Sequence, residues 1–315
     1  MERNLALETL HVTEAAAMAC ARMMGSGDEH LAYRKAREAM HRAFNSVKLD
    51  GTIVLGEGEE KECLELFRGE RIGTGEPPAV DIALDPLEGT TICATGGPNS
   101  ISVIAIGEKN SFMPCPEVYM EKIVVGPKAH GVINLDLTPA ENLKRVATAL
   151  DCYLEDLTVV ILDRPRHASL IREVREAGAR IRLIGDGDVS AAIATSIKGS
   201  GVDVLMGIGG SKEGVLAAAA LKCIRGDIQG RLVSCLSGEG EVRPEKSPIL
   251  NIDDLVRGNN VMFAATGVTD GDILKGVRFH SGGAITTSLV MQLRSRTVRF
   301  IETHHEFQPE RFRFS

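Results

Sequence analysis

The sequence lacks the cysteine spacings that usually hold a metal ion or a disulfide framework. Its seven cysteines are an odd number, and no two of them form a Cys-x-x-Cys pair. Zinc sites and small secreted domains normally show such paired spacings. We therefore expect a chain that works in a reducing, cytoplasmic compartment.

Long apolar runs, a basic leader and an excess of positive charge are also missing. No run approaches the roughly 18 apolar residues of a membrane-spanning helix, and the first residues lack the basic start of a signal peptide. Lys and Arg number 36 against 43 Asp and Glu, a formal charge of −7. This balance offers no basic field for nucleic acid or an anionic membrane, so we expect a small-molecule partner.

Several familiar catalytic and nucleotide-binding motifs are absent as well. The sequence contains no G-x-x-x-x-G-K-[ST] and no H-E-x-x-H, and its eight histidines show no triad-like context. Gly207-x-Gly209-Gly210 resembles a dinucleotide loop only weakly, because the sixth-position glycine is missing. These absences argue against a P-loop NTPase, a zinc protease and a dinucleotide-dependent enzyme.

The most informative motif that is present is Asp85-Pro86-Leu87-Glu88-Gly89-Thr90, which follows the apolar run 80–84. It places two carboxylates and a hydroxyl around a predicted turn at the end of a strand. Mg²⁺ and Mn²⁺ prefer oxygen ligands, and Thr90 is near enough to touch a metal-bound water. A solvated acidic turn that caps the next helix is the alternative for this motif taken alone.

Acidic residues recur at the ends of other predicted strands. Glu57 follows the strand 52–55, and Glu213 follows the strand 202–206. Taken singly, each acid is more often a helix cap or a solvated residue. Together with Asp85 and Glu88 they provide about the number of carboxylates that two neighbouring cations require, which favours a metal site.

From about residue 157 the sequence alternates regularly between strands and helices. The predicted strands are 158–162, 180–184 and 202–206, and the predicted helices are 167–177, 189–197 and 213–223. This alternation predicts a parallel sheet, and such sheets bind ligands beyond the carboxyl ends of their strands. We therefore expect the three loops that follow these strands to form one binding edge.

Two of these loops carry side chains suited to a sugar phosphate. Arg164 and Arg166 flank Pro165, where a guanidinium could clamp a phosphate; a surface pair of arginines is the alternative. Asp186 and Asp188 could accept hydrogen bonds from sugar hydroxyls, with a helix cap by Asp188 as the alternative.

The N-terminal half is predicted to be mixed in structure. The predicted helices there are 5–24 and 29–47, and the predicted strands are 52–55, 80–84 and 100–106. We expect an α/β protein with a metal-binding domain at 1–156 and a substrate-binding domain at 157–315. A surface loop at 237–248 and closing strands at 261–265, 284–293 and 297–302 complete the prediction.

In this order the motifs resemble the class II fructose-1,6-bisphosphatases, members of the lithium-sensitive, metal-dependent sugar phosphatase superfamily. The stretches that carry the resemblance are 12–14, 25–28, 51, 56–59, 81–90, 119–120, 163–167, 178–190, 207–214 and 265–269. The resemblance implies a layered α/β/α/β/α fold and an oligomer, either a homodimer or a homotetramer. It also implies removal of the 1-phosphate of fructose 1,6-bisphosphate with Mn²⁺ or Mg²⁺, as in gluconeogenesis.

The resemblance also assigns roles to individual residues. Metal ligation is implied for Glu57, Asp85, Glu88 and Glu213. Substrate contacts are implied for Glu88, Gly89, Thr90, Tyr119, Arg164, Pro165, Arg166, Asp186, Gly187, Asp188 and Gly210. Catalysis is implied for Thr90, which would orient the attacking water, together with Glu57 and Asp85. The residues themselves leave open whether Tyr119 serves the site or only packs.

The chain departs from the family pattern at Tyr33. Where the family reads G-D-K-N-x-A-D, this sequence has Tyr33 at the last position, a phenol with an ordinary pKa of about 10. One cation site is therefore expected to lose a ligand. One alternative function is therefore that of a catalytically impaired paralogue that binds a sugar phosphate as a regulator. A second alternative, implied by the resemblance to related photosynthetic enzymes of the family, is an enzyme that also hydrolyses sedoheptulose 1,7-bisphosphate.

Overall fold

The computed structural model describes residues 3–61, 64–116, 118–233 and 247–307. The helices in these ranges are α1 Arg3–Ala21, α2 Glu29–Phe44, α3 Thr90–Thr95, α4 Pro139–Leu150, α5 Ala168–Ala177, α6 Asp188–Ala194, α7 Ser211–Ile224 and α8 Ile252–Leu255. The strands are β1 Asp50–Leu55, β2 Arg71–Ile72, β3 Ala79–Glu88, β4 Ile101–Gly107, β5 Tyr119–Val125, β6 Thr158–Leu162, β7 Arg180–Ile184, β8 Val204–Gly210, β9 Asp227–Val233, β10 Leu250–Asn251, β11 Val261–Gly267, β12 Arg278–His280, β13 Gly283–Gln292 and β14 Thr297–Glu306. The predicted loop at 237–248 lies mostly outside the described ranges.

The first sheet has eight strands in the order β12-β13-β11-β4-β3-β1-β2, and β14 pairs with β13 beside this path. Its strands are antiparallel except for the parallel pair β1 and β3. Alternate residues of β3 enter two different cores: Ile82 and Leu84 pack with α1 and α2, and Ala83 packs with the opposite cluster. Because strand side chains point alternately to both faces, the apolar run 82–84 of β3 is buried on both faces of the sheet.

The second sheet has six strands in the order β10-β9-β5-β8-β6-β7. β6 is parallel to β7 and to β8, as the alternating pattern predicted. The other half of this sheet, which the sequence analysis did not assign to it, is antiparallel, because β5 and β9 pair antiparallel with their neighbours. Continuous apolar runs indicate burial of both faces, which a strand of either direction can have, so direction was not encoded in them.

The helices and sheets alternate in five layers, which confirms the α/β fold class. α1 and α2 cover the outer face of the first sheet, α6 and α7 lie between the sheets, and α4 and α5 cover the second sheet. The main helix of the middle layer is α7. Its residues from Val215 to Leu221 are apolar, mostly alanine, and buried. Small side chains allow the sheets to pack closely on both sides of this helix.

The two sheets do not follow the chain in order. β5 precedes residue 157 but lies in the second sheet, whereas β11 to β14 follow it and lie in the first. The division into domains at 1–156 and 157–315 stays a prediction, and the strand exchange across residue 157 is the feature that it did not anticipate. None of the described helices is long and apolar enough to cross a membrane.

Candidate active site

Strand β3 is longer than the sequence predicted and includes the first part of the acidic motif. The strand continues through Pro86 to Glu88, so the expected turn is instead a bulge, at which the pairing with β4 shifts register between Asp85 and Glu88. In a regular strand, residues three apart point to opposite faces, and a bulge can bring them to the same side. Gly89 then adopts a left-handed φ of 80°, which favours glycine, and Thr90 begins α3.

A cleft of about 290 Å³ lies between the end of β3 and the carboxyl ends of β6, β7 and β8. The residues that line it are Asp85, Leu87, Glu88, Gly89, Thr90, Tyr119, Leu162, Arg164, Arg166, Asp186, Asp188, Gly209, Gly210 and Glu213. Five carboxylates thus share the cleft with two arginines. Such an excess of negative charge at a poorly solvated site requires either protonation or added cations.

Glu88 reaches across the cleft from the first sheet to α6. Its Oε1 accepts the backbone N–H of Val189 at 3.2 Å, while Oε2 is buried without a hydrogen-bond partner among the described residues. Burial raises the pKa of Glu88 well above its ordinary value, and the neighbouring Asp188 and Asp186 raise it further. An unpartnered buried carboxylate oxygen is the feature expected of a ligand for a hard cation.

Lys212 lies between two of the predicted metal ligands. It occupies the first turn of α7, and its Nζ is 3.0 Å from Glu57 Oε1 and 3.2 Å from Asp85 Oδ2. Burial opposes the charged form of Lys212, but Asp85 and Glu57 outweigh it and hold its pKa above the ordinary value. Burial raises the pKa of Glu57 to about 7, with Lys212 lowering it and Asp85 raising it.

A second buried lysine neutralises the opposite side of the cleft. Lys122 on β5 donates to Asp188 Oδ2 at 2.6 Å and to the carbonyl oxygen of Gly210 at 3.0 Å. Its side chain is only 3% exposed, so this ion pair is almost fully removed from water. Lys122 therefore fixes Asp188 and the end of β8 relative to each other.

The two arginines differ in how they are held. Arg166 donates from Nε and Nη2 to the carbonyl oxygen of Ile208, and its guanidinium lies 4.9 Å from the ring centroid of Tyr119. This arrangement restricts its rotamers before any ligand binds. Arg164 is exposed and donates to the carbonyl oxygen of Asp163. Arg166 is thus pre-ordered, and Arg164 presents its guanidinium at the rim.

The loop that carries these arginines is anchored by His167. This buried imidazole contacts the carbonyl oxygen of Leu162 through Nδ1 at 2.7 Å, and its Nε2 accepts the N–H of Ile208 at 2.8 Å. Since the Ile208 N–H can only donate, the proton of the neutral ring is on Nδ1. Gly207 has a φ of 136°, and a Cβ there would lie 3.0 Å from His167 Nε2. The ring therefore links β6 to β8 in its neutral form.

We expect His167 to make stability depend on pH. Burial lowers the pKa of His167 below 6.5, and Arg166 and Arg164 lower it further. A lowered folded-state pKa gives stability that is complete above the unfolded-state pKa and is lost as the pH falls from that value through the folded-state pKa. The excess stability of the parent over His167→Gln should therefore shrink between pH 7.5 and 5.5, by up to about 1.4 kcal/mol per pH unit, in urea unfolding. The exposed His280→Gln control should show the same dependence of unfolding free energy on pH as the parent. If His167→Gln also shows the parent's pH dependence, the assignment to His167 is refuted.

The donor set of the cleft fits a hard divalent cation, although its acids are not gathered into a ligand cage. Among the described residues, no three His, Cys, Asp or Glu side chains converge closely enough to hold a metal ion. Two lysines explain much of this, because Lys212 pairs with Glu57 and Asp85, and Lys122 pairs with Asp188. The unpartnered Glu88 Oε2, together with Asp85 and Glu213 in the same cleft, offers oxygen ligands for one cation.

The structure brings most of the predicted site residues to this cleft. Three of them do not line it. Pro165 begins a short 3₁₀ turn, and Gly187 precedes α6 and lines a neighbouring cavity. Glu57 pairs with Lys212, which also contacts Asp85. Tyr33 is half-buried on α2, where it packs against the core under α1 and α2. The chemical roles of these residues stay predictions.

Sequence reasoning missed both lysines. Lys122 lies beside Glu121 in the middle of a strand that is apolar at Met120 and from Ile123 to Val125, and a charged residue inside a buried strand signals a buried partner. Lys212 carried no comparable signal, because a lysine in the first turn of a helix is usually solvated.

The five layers and the acidic cleft are consistent with the class of α/β phosphatases. A family model described as "Bacterial fructose-1,6-bisphosphatase, glpX-encoded" matches residues 3–305, and the chain belongs to this family.

Cyanobacterial relatives match over almost their whole length. Proteins from two strains of Synechococcus sp. are each 43% identical over 336 residues, covering 97% of this chain and 96% of their own. A protein from Synechococcus elongatus is 42% identical over 338 residues, covering 98% of this chain and 97% of its own. All three are named D-fructose 1,6-bisphosphatase class 2/sedoheptulose 1,7-bisphosphatase.

Proposed function

We propose that this protein hydrolyses the 1-phosphate of fructose 1,6-bisphosphate to give fructose 6-phosphate and phosphate. The observation that carries the proposal is the meeting, in one cleft, of Asp85, Glu88 and Thr90 from the first sheet with Arg164 and Arg166 from the second. One sheet supplies oxygen ligands for a cation and the other supplies donors for phosphate. Membership of the family supports the same reaction.

The proposed cofactor is Mn²⁺ or Mg²⁺. Asp85, Glu88 and Glu213 line the cleft and would hold such a cation, and their oxygens are the ligands that both ions prefer. When bound, the cation would supply positive charge to offset the charge that develops on the phosphoryl oxygens.

The chain's own residues supply binding and orientation. Arg166 is already held by Ile208 and Tyr119, so its guanidinium would bind one phosphate with little loss of rotamer freedom. Arg164 would add a second set of N–H donors. Asp186 faces the cleft without a lysine partner among the described ion pairs, so it is better placed than Asp188 to accept a sugar hydroxyl. These contacts would hold the sugar so that its 1-phosphate points toward β3.

Thr90 is suited to orient the attacking water. Its hydroxyl donates to the carbonyl oxygen of Leu87 at 3.1 Å, so the oxygen lone pairs remain available to accept a hydrogen bond from water. The water oxygen bonds to phosphorus, the bond from phosphorus to the sugar oxygen breaks, and a proton from the water ends on that oxygen. In-line positioning of this kind gives much of the rate of phosphoryl transfer.

A second substrate is favoured by the double names of the cyanobacterial relatives. We propose sedoheptulose 1,7-bisphosphate as this alternative, since it differs from fructose 1,6-bisphosphate by one hydroxylated carbon between the phosphates. We also propose a cytoplasmic location and a homodimer or homotetramer, which are the expectations for a member of this family.

The test is phosphate release from the two bisphosphates and from fructose 6-phosphate, with Mn²⁺, Mg²⁺ or EDTA. We expect turnover of fructose 1,6-bisphosphate with a divalent cation, loss of turnover in EDTA, and little release from fructose 6-phosphate. The turnover of Tyr33→Phe should match that of the parent within about twofold, because phenylalanine keeps the ring that packs against the core and removes only the hydroxyl. No turnover of either bisphosphate with either metal would overturn the enzyme proposal and leave the impaired paralogue.

A contaminating phosphatase must be excluded in the same assay. Gly210→Ala prepared in parallel serves this purpose, because a Cβ at that position would lie 1.8 Å from Glu213 Oε2 and must displace the carboxylate. Release that persists unchanged in this variant would point to a contaminant or to a site elsewhere.

A further inference from the structure

Lys212 places a positive charge between two carboxylates that come from different strand ends. Glu57 follows β1, Asp85 lies in β3, and Lys212 begins α7. The side chains of Glu57 and Asp85 are only 7% and 9% exposed, so neither could stay charged cheaply without a partner. The ammonium at 3.0 and 3.2 Å is that partner, and it is part of the chain itself.

The ammonium and a divalent cation could not share this position. A cation held by Glu57 and Asp85 together would require oxygen contacts of about 2.0–2.6 Å from both carboxylates, the space that Nζ now fills. Lys212 brings one positive charge where a divalent ion would bring two. Tyr33 removes one negative charge from the family's expected ligand set, because a neutral phenol stands where the family pattern has an aspartate.

We propose that Lys212 is an internal cation that replaces one divalent ion of the family's metal site. Glu57 and Asp85 are then held in place without metal, and Asp85, Glu88 and Glu213 remain as ligands for a single cation in the cleft. The proposal rests on the proposed function only in assigning these acids to a metal site. Its test counts bound metal and needs no turnover, so failure of either proposal can be told from failure of the other.

The experiment is a Mn²⁺ titration of EDTA-treated, dialysed protein, with free Mn²⁺ followed by electron paramagnetic resonance. The parent is compared with Lys212→Met, which removes the charge but keeps the length, and with Lys212→Arg, which keeps the charge. We expect Lys212→Met to bind one more Mn²⁺ per chain than the parent, or the same number at least tenfold more tightly. Lys212→Arg should match the parent within about threefold.

Thermal unfolding of the same proteins supplies a second readout. In EDTA, Lys212→Met should unfold at a lower temperature than the parent, because Glu57 and Asp85 lose their partner, and saturating Mn²⁺ should close that gap. Lys109→Met is the matched control, since Lys109 pairs with the buried Asp81 at 3.1 Å outside the cleft. Its loss of stability should not be recovered by Mn²⁺.

Glu57→Gln keeps the proposal testable if Lys212→Met does not fold. When Lys212 occupies the site, Glu57 is no metal ligand, so the Mn²⁺ affinity of Glu57→Gln should equal that of the parent within about threefold. A fall of tenfold or more would overturn the proposal, and so would equal Mn²⁺ counts and affinities for the parent and a folded Lys212→Met.

Discussion

Lys122→Met should unfold at a markedly lower urea concentration than the parent and should lose most of its activity. The substitution removes the only side chain that pairs with Asp188 among the described ion pairs, and it leaves that buried carboxylate uncompensated. Breaking a buried pair from one side typically costs about 3–5 kcal/mol, more than removing both charges. Methionine fills nearly the same volume, so the loss reflects charge more than packing.

The activity of Lys122→Met should fall because Lys122 also donates to the carbonyl oxygen of Gly210. Without that contact, the end of β8 and the start of α7, which carries Glu213, are no longer fixed relative to Asp188. Small displacements of catalytic groups are sufficient to lose about a hundredfold in rate.

A double variant separates charge from structure in this prediction. Lys122→Met combined with Asp188→Asn removes both charges, and we expect it to be more stable than Lys122→Met alone. Lys109→Met should lose less stability than Lys122→Met, because Lys109 is nearly half-exposed. If the double variant is no more stable than the single one, the Lys122–Asp188 pair is not the source of the effect.

The parts of the site that the sequence predicted well are those that follow from local rules. Arg164 and Asp186 follow strands of the parallel trio and Gly210 ends the third, and the carboxyl ends of parallel strands lie at one edge of a sheet. A simple alternation of apolar strands and helices was therefore enough to bring these residues together. The motif 85–90 lies at the end of a strand, as its position after an apolar run predicted, although this strand belongs to the other sheet.

The parts that the sequence could not predict depend on contacts between distant segments. β5 lies between β8 and β9 and pairs with residues 79 to 114 positions later, which no local pattern encodes. Lys122 reaches Asp188 only because of that pairing. The bulge at Asp85 was missed because Pro86 and Gly89 are typical turn residues, while a proline can also occur within a strand at a bulge.

Contacts between distant segments also decide how many of the site's carboxylates are paired with a lysine. From the sequence, four acids suggested a site for two cations, because their lysine partners could not be identified. The structure places Lys212 against two of those acids and Lys122 against Asp188. The proposal that Lys212 is an internal cation implies that counting carboxylates in a sequence overestimates the number of metal ions when lysines from other elements pair with them.

Gly210→Ala should lower kcat by about a hundredfold or more while changing the free energy of unfolding by no more than about 1 kcal/mol. Gly210 has a φ of −66°, which any residue adopts, so the backbone tolerates the new methyl group. The methyl carbon would lie 1.8 Å from Glu213 Oε2 and 2.8 Å from Glu213 Cδ. Because the carboxylate is the free end of a flexible side chain, the fold can relieve this overlap by turning it away from the cleft.

The matched control for this prediction is Gly185→Ala. Gly185 lies on the loop after β7, and a Cβ there would meet no atom within 4 Å. Its kcat and stability should stay within about twofold and 0.5 kcal/mol of the parent. In the Mn²⁺ titration, Gly210→Ala should also bind the ion more weakly, because Glu213 is one of the three proposed ligands, together with Asp85 and Glu88. A Gly210→Ala enzyme with the parent's kcat and Mn²⁺ affinity would remove Glu213 from the ligand set, and the excess of buried carboxylates around Glu88 would then need another cation or a shared proton to balance it.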